Sequence, residues 1–420
     1  MFSACYAPAP WTLPSVVSLM TSTFPCEHGV VVDGQHIDAS QRPLAERLSD
    51  AGYATASFYA NPYAGPMSGL DRGFDDCTHH PATDGAIVAD WLSTGVARPF
   101  FAYIHNLEPH DAFMAPDRLV SHFGTVSEDA KREIGKALLA YRVLTRVDFA
   151  SGQPVGTTDN TSEQAQAIRA IAARADAIDV LYSAAVRDAD EKVGSVIAAL
   201  KAANVWDDTL FIVVSDHGEE LFDYGGWQHD QSVYEELVHV PLMIRFPQPA
   251  EVPRVVDRVV SLVDVMPTIL DYVGQRSAMA GCRGRSLLPM IAETRDAKAQ
   301  GKPLPDEPMI VPSVRINRKK YYRPYFESRG DVNIVVRERG FKGIYNVGPK
   351  TLELYDLTAD PTEQQNVTES HTDIAGRLTA FATDWLRECV RQGAARSESR
   401  DPRALDDAVR DRLRSLGYID

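Results

Sequence analysis

The stretch Leu210–Glu220, LFIVVSDHGEE, narrows the possible folds more than any other part of the chain. Its apolar run, Leu210 to Val214, is dominated by β-branched residues and reads as a fully buried strand of a parallel sheet. The run stops at Ser215, and Asp216, His217 and Gly218 follow at once. In open α/β sheets ligands bind just beyond the carboxyl ends of the strands. A carboxylate and an imidazole side by side at such an end can both grip one divalent cation, because each is a hard or borderline donor. Such a pair also has a plain structural reading, in which Asp216 opens a turn and His217 is a satisfied polar neighbour. The rest of the chain decides between the two.

Strand and helix patterns alternate around this stretch. Ala54–Tyr59, Pro99–Ile104 and Val240–Phe246 read as strands. Arg42–Tyr53, Gly85–Leu92, Ala184–Ala203 and Val263–Val273 carry helical spacing, and Ser127–Lys192 is mostly helical around a polar segment at Asp148–Asn160. That alternation predicts a mostly parallel sheet covered by helices. PFFAYI runs into HNLEPH, which puts His105 and His110 at the carboxyl end of a second strand. Asn61–Phe74 is a Gly/Pro-rich loop that, with Asp148–Asn160, is expected to wall a pocket.

From Lys302 the character changes. KPLPDEP is Pro-rich and polar, and the short alternating strands Ile334–Arg337, Gly343–Asn346 and Leu352–Asp356 follow, then a long helix over Asp373–Gln392. The expected organisation is a large α/β domain over 1–301, a small α+β subdomain over 302–396, and a linker with a short terminal helix over 397–420.

The amino-terminal segment reads differently. Phe2–Thr12 reads as mid-domain loop, with Ala7–Thr12 extended and punctuated by proline. TLPSVVSLMTS then forms a helix, with Thr12 or Leu13 near its cap and Pro14 in its first turn. A helix N-terminus favours a bound phosphate or sulfate. Thr12 is either the hydroxyl at that anion site or simply a cap.

Composition excludes some classes of partner. A formal net charge of −15 argues against nucleic acid, which demands clustered Lys and Arg. No apolar run is long enough to span a bilayer. Met1 leads straight into FSACYAPAP with no basic or apolar leader, so neither a transmembrane segment nor a signal peptide is expected within this chain, and the compartment stays open. The cysteines (Cys5, Cys26, Cys77, Cys282, Cys389) are scattered and odd in number, a pattern that fits neither a zinc site nor a disulfide framework and leaves at most one or two bridges.

Taken in order, these segments resemble the sulfatase family of the alkaline phosphatase superfamily. WTLPSVVSLMTSTFPCEHGV is similar to its nucleophile segment, RPLAERLSDAGYATASF and SGLDRGFDD to the segments that follow, and IHNLEPHDAF to its histidine-bearing loop. FIVVSDHGEE and QHDQSVYEELVHVPLMIRFP resemble its metal segment and next strand, and ELYDLTADPTEQQNV with LRSLGYID its C-terminal part.

The resemblance implies an alkaline-phosphatase-like fold and a metal-dependent hydrolase of small sulfate or phosphate esters. Asp216 and His217 take the place of two ligands of a divalent ion (Ca2+, Mn2+ or Zn2+), and Thr12 that of the nucleophile. His110 falls where the family contacts the anion's oxygens. His229 falls where a Lys or His contacts the anion and protonates the leaving group. His28 and His239 stand in matching segments and read as structural.

The chain departs from the family pattern in several places. Threonine replaces the Cys or Ser that becomes formylglycine, so its hydroxyl would attack directly. Val16 stands where an arginine is usual. The opening strand and its acidic metal ligands are expected upstream of Met1. Two further readings follow: a phosphoryl-group transferase of the same superfamily, and an inactive truncated relative.

Overall fold

A computed structural model describes residues 1–31, 34–81, 83–110, 115–144, 169–222, 227–230, 232–247, 252–302, 312–316, 332–338 and 340–394. The predicted loop Asp148–Asn160, the Lys302–Pro308 boundary beyond Lys302, the linker and the terminal helix lie outside those residues. In chain order the first part runs β1 (Phe2–Tyr6), α1 (Thr12–Thr21), α2 (Leu44–Asp50), β2 (Ala54–Tyr59), β3 (Asp76–His79), α3 (Gly85–Ser93) and β4 (Phe100–His105). Next come α4 (Glu128–Leu144), α5 (Ala175–Ala202), β5 (Phe211–Val214), β6 (Glu220–Leu221), β7 (Trp227–Gln228), β8 (His239–Arg245) and β9 (Val256–Ser261). The chain continues with α6 (Val265–Tyr272), α7 (Leu288–Gln300), β10 (Ser313–Ile316), β11 (Val332–Glu338), β12 (Phe341–Asn346), β13 (Thr351–Asp356) and α8 (Thr372–Ala394).

The expected α/β architecture with a smaller antiparallel unit is what folds. One sheet has the order β5-β8-β1-β9, a second β3-β2-β4, and the small C-terminal sheet β10-β11-β12-β13. β2 pairs in parallel with both β3 and β4. β8 runs antiparallel to β5 and β1, while β1 and β9 are parallel. Helix α5 lies beneath β4 and β5 together: Val196 and Leu200 pack with Val88 against Phe100, Ile104 and Phe211.

Two expectations change here. Phe2–Tyr6 is not mid-domain loop but an interior strand, with Cys5 opposite Val240 on one side and Val260 on the other. Its composition, FSACY, alternates too briefly to announce a strand, but hydrogen bonds on both edges and burial of Phe2, Cys5 and Tyr6 hold it. The Leu210 run, read as fully buried, is only partly buried over Phe211–Val214, as is β4. The reason is position: each ends the order of its own sheet, so among the described residues one edge of each carries no strand.

Part of the Asn61–Phe74 loop belongs to the core. Two short 3-10 turns fold it inward, and Tyr63 and Leu70 join Trp11, Leu13, Val16, Val17, Leu44 and Met266 in one core. Val16, at the position of the usual arginine, is therefore core.

Asp264, just before α6, contributes a pH dependence. Its carboxylate accepts from the backbone N–H of Ser261 at 2.9 Å and of Arg285 at 2.8 Å. Burial nevertheless pushes its pKa up to about 6, from an ordinary 3.8. A raised carboxyl pKa means the native state holds the proton longer than the unfolded chain. This group's contribution to stability is thus complete below about pH 4 and is lost as pH rises through about 6, a change of about 3 kcal/mol. In urea unfolding across pH 4 to 7.5, Asp264→Asn gains on the wild type by that order as pH rises. A constant difference between the two proteins would refute the assignment.

Candidate active site

Thr12 is placed by the segment before it. Trp11 caps α1 in an extended conformation, and its buried ring meets Tyr63 edge-on at 5.8 Å. The loop leading there is pinned from several directions. Ala7 N donates to Val238 O at 2.8 Å, Val314 N to Pro8 O at 2.8 Å, and Asp230 N to Pro10 O at 3.0 Å. Ser313 Oγ donates to Ala7 O, and Arg315 Nε to Asp230 O. The small sheet thus braces the strand-to-helix turn that presents Thr12.

β5 ends into the DHG turn from the other side. Gly218 is required there, since a Cβ at that position would lie 1.9 Å from Glu236 O, and its N–H donates to Leu237 O. His217 is buried, with Nδ1 2.8 Å from Gly218 O and Nε2 3.1 Å from Thr12 Oγ1. A carbonyl only accepts, so Nδ1 carries a ring proton and Nε2 is the ring atom that faces Thr12. Asp216 anchors its backbone through Ser15 Oγ, which donates to Asp216 O. One carboxylate oxygen, Oδ1, accepts from His217 N. The other, Oδ2, lies 3.7 Å from His217 Nε2 and is buried with no hydrogen-bond partner among the described residues.

The electrostatics favour an ionised Asp216. Burial acts to raise its pKa, but the imidazoles of His217, His105 and His229 outweigh it and hold the carboxyl below the usual range. His105, at the end of β4, is half-buried, and burial pushes its imidazole towards the neutral form. Its Nδ1 has no hydrogen-bond partner among the described residues. A buried carboxylate oxygen without a hydrogen-bond donor among the described residues, beside the His217 imidazole, is a donor pair that suits a cation.

The remaining histidines complete the site. His229 lies 4.4 Å from His217 and 4.8 Å from His110, ring centre to ring centre. Its Nδ1 faces both oxygens of Glu219, at 3.0 and 3.2 Å. All five residues singled out in the sequence, Thr12, His110, Asp216, His217 and His229, therefore meet. Sequence reasoning missed Glu219, although it stands inside the DHGEE stretch, because nothing in one sequence pairs it with His229. It also gave His105 no role. His28 and His239 are engaged elsewhere: His28 between Ser18 Oγ and Val30 N, and His239 against Ser3 O.

Residues 1–275 match the family model described as Sulfatase, and residues 223–381 that of the N-sulphoglucosamine sulphohydrolase C-terminal region. The chain is similar to a multifunctional alkaline phosphatase superfamily protein, PehA, of Trinickia caryophylli, at 31% identity over 319 residues, 71% of this chain and 57% of that one. It is similar to an N-acetylglucosamine-6-O-sulfatase of Bacteroides thetaiotaomicron, at 28% identity over 191 residues, 44% of this chain and 31% of that one. It thus spans between about a third and just over half of these curated relatives. In fold it is similar to a phosphonate monoester hydrolase of Agrobacterium radiobacter, with a TM-score of 0.64 and 22% identity, covering 93% of this chain and 88% of that one.

Proposed function

The chain belongs to the sulfatase family of the alkaline phosphatase superfamily, and from that premise we propose that it is a metal-dependent hydrolase of small sulfate or phosphate esters, with Thr12 as the attacking group. The observation that carries the reading is Thr12 Oγ1 at the first turn of α1, 3.1 Å from His217 Nε2, with Asp216 Oδ2, unpartnered among the described residues, 3.7 Å from that same nitrogen. Free N–H groups at that helix start favour an anion.

Asp216 and His217 would hold the cation, which when bound supplies Lewis-acid stabilisation of the ester's oxygens. The residues of the chain do the rest. Thr12 Oγ, its proton lost to solvent, forms the new bond to sulfur or phosphorus as the bond between that atom and the ester's carbon-bearing oxygen breaks. His229, fixed by Glu219 across Nδ1, gives a proton from Nε2 to that departing oxygen. His110 lines the place of the anion's remaining oxygens, and water then cleaves the Thr12 ester, regenerating the hydroxyl.

The test is turnover of 4-nitrophenyl sulfate, 4-nitrophenyl phosphate and a 4-nitrophenyl phosphonate monoester by chelator-treated protein resupplied with Ca2+, Mn2+ or Zn2+. The expected result is metal-restored release of nitrophenol from at least one ester, abolished in Asp216→Asn. Folded protein inert towards all three esters with every metal would mark an inactive relative. Release that requires an added alcohol, with the alcohol becoming phosphorylated, would mark a transferase instead.

A further inference from the structure

Helix α8 reaches beyond the small sheet it covers. Its first half packs on that sheet, where Leu378 and Ala382 share a core with Ile334, Val336 and Leu354. Further along, Trp385 meets the Phe24 ring edge-on at 5.9 Å. Phe24 caps the single helical turn Pro25–His28, which itself lies against α8. We propose that a disulfide between Cys26 and Cys389 fastens α8 to this turn, and so joins the C-terminal sheet to the base of the helix that begins at Thr12.

The cysteine inventory names the partners. Of the five cysteines, Cys5, Cys77 and Cys282 are free thiols, and Cys26 is in a disulfide. Within one chain that leaves Cys389 as the other half. Position in the fold agrees. Cys26 lies two residues after Phe24, and Cys389 lies four after Trp385, one turn further along the same helix face. The aromatic pair thus brings together the two backbone segments that carry the cysteines. The turn holding Cys26 is itself anchored: Glu27 Oε2 accepts from Phe24 N at 3.0 Å, Glu27 Oε1 pairs with Arg283, and His28 Nε2 meets Ser18 Oγ of α1 at 3.0 Å. A bridge at Cys26 therefore ends on a turn fixed to α1, not on a loose loop. Closing the bond joins the two sulfurs and releases two protons and two electrons. A disulfide oxidant, such as oxidised glutathione, takes both and becomes two thiols. The closed ring spans residues 26 to 389, most of the chain, so the bridge restricts the unfolded state over a long loop.

No ester enters the test, so its outcome is separate from that of the hydrolase reading. Folded full-length protein is incubated with oxidised glutathione, digested with chymotrypsin without reduction, and read by mass spectrometry. Cleavage after Tyr6 separates Cys5 from Cys26. The expected result is a linked Cys26–Cys389 peptide that disappears on reduction, with three free thiols in denaturant rising to five. Cys26→Ser and Cys389→Ser should each lower the thermal midpoint by about 3 °C or more, and the double variant by no more than either alone. Dithiothreitol should lower the wild-type midpoint and leave that of the double variant unmoved. Five free thiols in the folded, glutathione-treated protein would overturn the proposal. So would Cys26 linked to any other cysteine, or a Cys26–Cys26 dimer that separates on reduction. A linked peptide with unmoved midpoints in both single variants would refute the fastening.

Discussion

Thr12→Ala is expected to lower ester turnover by roughly 10⁴-fold or more, because it removes the attacking oxygen, while leaving the affinity for the activating metal near the wild-type value. The separation follows from the geometry. Thr12 Oγ1 meets His217 Nε2 at 3.1 Å, but the groups expected to hold the cation are Asp216 Oδ2 and His217 Nε2, which come from the turn after β5 and stay in place when Thr12 is shortened. Thr12→Ser retains a hydroxyl on the same backbone and should recover most of the rate. The measurement is kcat on the best 4-nitrophenyl ester, paired with metal affinity by competition against a chromophoric chelator. Full turnover in Thr12→Ala would mean that water attacks directly and that Thr12 only begins the helix. Loss of metal affinity in step with turnover would make Thr12 a ligand and not a nucleophile.

The second large effect lies away from the chemistry. Lys342 of β12 is fully buried, with Nζ 2.6 Å from Glu363 Oε1 and 3.1 Å from Glu235 Oε1. Arg337 of β11 also pairs with Glu235 and lies over the Tyr6 ring at 3.5 Å. These charges hold the Glu235 carboxyl well below its usual range against the opposing effect of burial. Glu363 in turn accepts from Glu235 N at 2.7 Å. Lys342→Met keeps the stem but removes the ammonium, leaving Glu363 buried without its counter-ion. The expected loss is about 3–5 kcal/mol, since breaking one half of a buried pair strands the other. Adding Glu363→Gln should return much of that loss, because the stranded charge is then gone. Urea midpoints of the wild type, the single variant and the double variant decide it. A single variant within about 0.5 kcal/mol of wild type, the range of ordinary surface substitutions, would show that the network is solvated.

This network also sets how the small sheet meets the large one. Tyr6 belongs to β1, Glu235 follows the loop that carries His229, and Arg337 and Lys342 belong to the C-terminal strands. With the Ser313, Val314 and Arg315 contacts to Ala7, Pro8 and Asp230, the subdomain buttresses both the Thr12 and the His229 sides of the site.

The sequence by itself determined what is local. A β-branched run ending in Asp-His-Gly located β5 and the residues at its tip, because a strand's apolar pattern and the turn that ends it are written in neighbouring positions. β2, β4, α3, α5, β8 and α8 were legible for the same reason, and the ordered motifs identified the family. Tertiary structure alone decided the rest. FSACY becomes an interior strand only when β8 and β9, more than two hundred residues away, supply both edges. β8 runs antiparallel because pairing direction is set by how the connection returns, not by the apolar pattern of the strand. Glu219 acquires His229, and Lys342 acquires Glu235 and Glu363, only when distant segments are brought to hydrogen-bonding range. Buried charges carry no periodic signature, and their partners are chosen by the packing that removes water from around them.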